Sequence, residues 1–70
     1  MVKLTSIKTE YGGKAEITAF ADAKAEVVEG MSIVGMPYGI TPSMGSSVIT
    51  ADGDVAFLKS DGTWNWIGEE

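Results

Sequence analysis

Apolar and polar residues alternate along Lys14 to Ala21, KAEITAFA. Ala15, Ile17, Ala19 and Ala21 fall on one side, and Lys14, Glu16, Thr18 and Phe20 on the other. A period of two is the mark of a half-buried strand. Residues 2–10 alternate less cleanly, with Val2, Leu4, Ser6 and Lys8 against Lys3, Thr5, Ile7 and Thr9. Their β-branched content still favours extended backbone. Between the two segments, Gly12-Gly13 can supply the positive φ of a tight turn. A hairpin of 3–11 with 14–20 is therefore predicted.

The last third, Ser46 to Ile67, repeats the theme. Asp52-Gly53 and Asp61-Gly62 separate two apolar runs and an aromatic run. An Asp-Gly pair flanked by alternating apolar residues is a strong hairpin signal. Three antiparallel strands are predicted, at about 47–51, 54–59 and 63–67. Their register has two solutions. Tight two-residue loops pair Thr50 with Val55, Val48 with Phe57, Phe57 with Trp66 and Lys59 with Trp64. Val48, Phe57 and Trp66 then form one row, with Ile49, Ala56, Leu58 and Ile67 on the other face. A glycine bulge at Ser60-Asp61-Gly62 instead shifts the third strand by one residue and moves both tryptophans across the sheet. Either way both faces carry apolar groups. The second must be covered by the N-terminal hairpin, the apolar loop or a neighbouring chain.

The middle of the chain is less periodic. ADAKAEVVEG is rich in helix formers, and Phe20, Lys24, Val27, Val28 and Met31 would line one helical face. Asp22 and Gly30 suit its two ends. Yet 22–29 is only two turns, marginal without tertiary support. A short helix at 21–29 and an extended strand both remain open. From Met31 to Gly45 the segment is punctuated by Pro37, Pro42, Gly35, Gly39 and Gly45. Ser32-Ile33-Val34 suits a short strand, whereas Pro37 and Pro42 do not suit a central one. The segment is apolar for a loop, with Met31, Ile33, Val34, Met36, Tyr38, Ile40 and Met44. It must fold back over the sheet or meet another surface. The terminal Glu69-Glu70 is expected to fray.

Seventy residues make one small domain, 1–70, and a core of that size rarely contributes more than roughly 3–5 kcal/mol net. The chain has no Cys and no His, which removes disulfides and the common zinc and haem ligands. Self-association is the remaining support. Five Lys and no Arg oppose ten acidic residues, for a net charge of −5. Nucleic acid and anionic membranes are poor partners for such a balance. The N-terminus lacks the apolar core of a secretory signal. The uncharged run Gly30 to Ala51 holds four Gly, two Pro and six Ser or Thr, too polar for a transmembrane helix. The absence of Cys fits a reducing compartment.

Candidate chemistry is sparse. Asp52-Gly53-Asp54 lacks the further oxygen ligands and distal Glu of a calcium loop, and hairpin chemistry explains it. Paired carboxylates have no room for a sugar cleft between them. The serines have no His to activate them, and the glycines match no phosphate loop. No enzyme activity, no cofactor and no metal is expected. Trp64 and Trp66 share one strand face and suit core packing, a subunit interface or a glycan platform. Met31, Met36 and Met44 are gap-fillers first and adaptable contact residues second. The candidate interface residues are Met36, Tyr38, Met44, Phe57, Trp64 and Trp66.

Residues 42–67, 26 of the 70, carry a resemblance. Gly45-Ser46-Ser47 precedes the β-branched run Val48-Ile49-Thr50. The turn Asp52-Gly53-Asp54, the strand Val55-Ala56-Phe57-Leu58 and the closing turn Ser60-Asp61-Gly62-Thr63-Trp64 follow. The order resembles the C-terminal part of many small bacteriophage and prophage structural proteins. TAFADAKAEV adds a weaker likeness. The resemblance implies a non-enzymatic virion protein, such as a capsid decoration, head fibre base or connector-region protein. It would be assembled in the bacterial cytoplasm and would bind copies of itself or a larger phage particle protein. The other readings are a small monomeric module that binds a glycan through Trp64 and Trp66, and a regulator that docks on a host protein. The fold expected is mostly β: a small antiparallel meander of five or six short strands, with the helix at 21–29 left open.

Overall fold

The computed structural model describes residues 1–68, without the side chains of residues 9 and 10; the fraying expected of Glu69-Glu70 lies outside that range. The protein is all β. Its strands are β1 (Val2–Tyr11), β2 (Lys14–Ala21), β3 (Ile33–Val34), β4 (Thr41–Pro42), β5 (Ser47–Thr50), β6 (Val55–Leu58) and β7 (Trp64–Trp66). They form one seven-stranded sheet of order β3-β1-β2-β5-β6-β7, with β4 also pairing β2.

The N-terminal hairpin forms where the alternation places it. Gly12 and Gly13 turn it with φ of 58° and 81°, a conformation that glycine adopts without steric cost. Ten residues of β1 oppose eight of β2, so β1 shifts register between Leu4 and Ser6 and again between Ile7 and Thr9. These shifts explain its poor alternation: a bulge resets which side chains face inward.

The sheet is mixed rather than a pure antiparallel meander. β5 runs parallel to β2, as do β3 to β1 and β4 to β2. Parallel neighbours need a crossover of a dozen or more residues, and residues 22–46 supply it. The helix considered for 21–29 does not form; a single 3-10 turn, Lys24–Glu26, stands there. Glu26 accepts the Asp22 N–H through Oε1 at 3.0 Å and receives the Met1 amine at its other oxygen. Val27 turns into the core while Val28 stays exposed. Two turns of propensity do not outweigh that burial.

The crossover covers one face of the sheet, termed the inner face. Val2, Ala15, Ile17, Ala19, Ala21, Val27, Val48 and Ala56 are buried, with Met31, Ile33, Met36, Ile40 and both tryptophans packed against them. One inner row runs Leu4–Ala19–Val48–Ala56–Trp66 across five strands. Its alanines make a low floor on which irregular backbone lies close. Pro42 fits in β4 because Thr41 and Ser43, its neighbours, donate to the Gly13 and Ala15 carbonyls at 2.9 and 2.8 Å. The N–H that proline lacks belongs to the position facing away from β2.

Between β4 and β5, a side chain replaces the ladder. Ser46 is fully buried. Its hydroxyl accepts the Ile17 N–H at 3.0 Å and donates to the Ala15 carbonyl at 3.4 Å. The Ser46 backbone carbonyl accepts from the Leu58 N–H at 2.9 Å. One serine thus ties β2 to β6 where the strands leave a gap, and no buried side-chain polar atom is unpaired among the described residues.

Candidate functional site

The side of the sheet away from the crossover has no cover. Two rows of side chains cross it: Lys3–Phe20–Ile49–Val55 and Thr18–Ser47–Phe57–Asn65. Ile67 extends the first, since its N–H donates to the Val55 carbonyl at 2.8 Å. Phe20, Ile49, Phe57 and Ile67 are 38%, 40%, 44% and 55% exposed. Contiguity distinguishes this patch from scattered surface apolar residues, which need no explanation.

Turn geometry puts Phe57 there. In the first C-terminal hairpin, the Gly53 N–H returns to the Thr50 carbonyl at 3.0 Å and the Thr50 N–H donates to the Asp54 carbonyl at 2.8 Å. The loop is therefore Ala51-Asp52-Gly53, with Gly53 at φ 92°. A three-residue loop of this kind, closed by a left-handed glycine, is a type I turn with a bulge. The second hairpin copies it: Gly62 donates to Lys59 at 3.0 Å, Lys59 to Thr63 at 2.8 Å, and Gly62 has φ 89°.

The tight-loop register is thus corrected at both turns, and the bulged alternative holds at Ser60-Asp61-Gly62. Val48 pairs Ala56 rather than Phe57, and Trp66 pairs Ala56 rather than Phe57. The first extra residue sends Phe57 outward. The second returns Trp64 and Trp66 to the side of Val48. Two shifts cancel for the tryptophans and leave the phenylalanine outside.

Local hydrogen bonds hold the second turn. The Asp61 carboxylate accepts the Thr63 hydroxyl at 2.6 Å and the Thr63 N–H at 3.0 Å. The hydroxyl bond, then the N–H bond, keeps its carboxyl below the usual Asp value. At the far end of the sheet, the Met1 amine lies between Asp22 and Glu26. The amine holds the Glu26 carboxyl low, and Glu26 raises the amine. Thr50, also buried, accepts the Asp54 N–H at 3.1 Å through its hydroxyl.

The candidate interface residues do not converge. Phe57 lies in the outer patch. Trp64, Trp66 and Met36 are half-buried against the core on the inner side, with the Lys24 ammonium 4.9 Å from the Trp66 ring. Tyr38 and Met44 are exposed on the crossover. Phe20, Ile49, Val55 and Ile67 were not singled out, although the strand alternation already set Phe20 apart from the alanine face. No pocket opens among the described residues, and no group of three acidic side chains converges on a metal position there. Among the described residues no helix is long and apolar enough to cross a membrane. No family model, no curated protein and no solved structure matches this chain.

Proposed function

We propose that this protein is a non-enzymatic structural or assembly component of a phage or prophage particle. It acts by seating its bare sheet face on copies of itself or on a larger virion protein. One observation carries the reading: Phe20, Ile49, Phe57 and Ile67 stand together in solvent on a rigid sheet. Large apolar side chains kept at the surface as a patch mark a contact site. A second feature supports it. No aromatic side chain is among the buried residues, although aromatics usually dominate burial in small domains. The likeness of residues 42–67 to small phage structural proteins gives the biological setting: a capsid decoration, a head fibre base or a connector-region protein.

The glycan reading through Trp64 and Trp66 has less support. Both indoles are half-buried against the inner core, and the Lys24 ammonium lies 4.9 Å from the Trp66 ring centroid, where a sugar would stack. Oligosaccharides are expected to leave tryptophan emission unchanged.

Gradient-purified particles from an induced host test the particle reading, with an antibody against this chain as the probe. A fixed copy number per particle is the expected result. Protein abundant in the lysate and absent from the particles would contradict it.

A further inference from the structure

We infer that the occupant of the outer face is a second copy of this chain, packed face to face across a two-fold axis. The inference rests on the reading of that face as a contact site, and it adds the partner and the geometry.

Size is the first argument. A standard interface takes about 800 Å² from each partner. The protein exposes 4558 Å² and has extents of 31 × 23 × 18 Å. The six strands of the path span about 24 Å and the ten residues of β1, the longest strand, about 30 Å at the usual spacings, close to the two longer extents. The sheet therefore lies along the broad dimension of the molecule, and its outer face is the broad side that the crossover leaves bare, on the scale of a standard interface. Two such sheets stacked about 10 Å apart make a sandwich whose second core is Phe20, Ile49, Val55, Phe57 and Ile67.

Charge is the second argument. Two copies at net −5 repel, and they approach most easily where carboxylates are fewest. Of the seven carboxylates whose side chains are described, Asp22, Glu26, Glu29, Asp52, Asp54 and Asp61 lie in turns or in the crossover. Within the outward-facing positions of β2, Glu16 is the lone carboxylate, with Lys8 3.9 Å away. Lys3 and Lys14 stand in that same outward register. The inner side, by contrast, is closed by the acidic crossover. A two-fold contact uses the same patch on both partners, and this is the patch whose charge permits it.

Sedimentation equilibrium across a concentration series tests the inference, on the intact chain and three variants. The unaltered protein is expected to dimerise by the high micromolar range. Phe57→Lys and Ile49→Lys should each weaken dimerisation by about 30-fold or more, the scale of a central contact residue. Tyr38→Lys, on the crossover, should leave it unchanged. Near-ultraviolet circular dichroism checks that Trp64 and Trp66 keep their packing in each variant. Should either outer-face variant unfold, the salt response of the unaltered protein decides. Added salt screens the −5 charges and should tighten a dimer of this kind, whereas loosening would contradict it. A monomer at high micromolar concentration would overturn the inference, as would a dimer indifferent to both outer-face substitutions. Neither result touches incorporation into particles, which is read separately.

Discussion

The two faces of this sheet are built from the same strands and have opposite fates. On the inner face, Ala15, Ala19, Ala21 and Ala56 leave space that Val27, Met31, Met36 and Ile40 of the crossover fill. On the outer face, Phe20, Ile49 and Phe57 rise from the neighbouring positions, touch only their neighbours in the sheet and have no segment laid over them. Along β2 and at Ala56, small residues thus mark the covered face, while Phe20, Ile49 and Phe57 mark the open one. For a chain this short the division has a physical reason. The 25 residues of the crossover between β2 and β5 are all spent on one face.

The two faces should differ most at Ile17 and Ile49, one isoleucine on each. Ile17→Ala, in the inner core, should cost about 2–5 kcal/mol, most of what so small a core can hold. Ile49→Ala, on the outer face, should cost under about 1 kcal/mol in dilute protein. Urea denaturation at low concentration measures both, and equal costs would erase the distinction between the faces. Ser46→Ala comes next. It leaves the buried Ile17 N–H unpaired and should cost about 1–3 kcal/mol, read from the same titration. Gly62→Ala forces a side chain into left-handed backbone at φ 89° and should cost about 1–2 kcal/mol. It should also loosen the register that keeps Trp64 and Trp66 inward, seen as a red shift in their emission.

The smallest effect is the pH response of the same turn. Hydrogen bonds from Thr63 lower the folded Asp61 value. Their contribution is therefore fully present above the ordinary Asp range and is lost as pH falls through the lowered folded value. Nuclear magnetic resonance of the Thr63 amide should follow that loss on acidification, and Asp61→Asn should abolish it.

Much of the fold was legible in the sequence, for reasons that identify the gaps. Period-two alternation set β2 and its alanine face, and Gly12-Gly13 set its turn. Asp52-Gly53 and Asp61-Gly62 located the C-terminal hairpins. An Asp-Gly pair, however, closes a two-residue and a three-residue loop equally well, and the two differ by one residue of register. That single residue decides whether Phe57 or Ala56 meets Val48. It also decided the candidate site, since Phe57 was singled out but its neighbours Phe20 and Ile49 were not. The parallel pairing of β5 with β2 left no sequence mark. The crossover between them has no periodicity, and its Pro42 becomes tolerable only once its neighbours' partners on β2 are known. The role of Ser46 left no local mark either, because it depends on a strand that lies 29 positions away at Ile17.

The central claim is that the outer face is a contact surface completed by another copy while the inner face is complete within the chain. The most direct measurement is solvent access to both faces by nuclear magnetic resonance, with a soluble paramagnetic agent, at low and at high protein concentration. Ring signals of Phe20 and Phe57 and methyl signals of Ile49 should be attenuated in dilute protein and protected in concentrated protein. Signals of Ile17 and Val48 should be protected in both. Equal attenuation of Phe57 and Ile49 at every concentration, with the chain folded throughout, would contradict the claim.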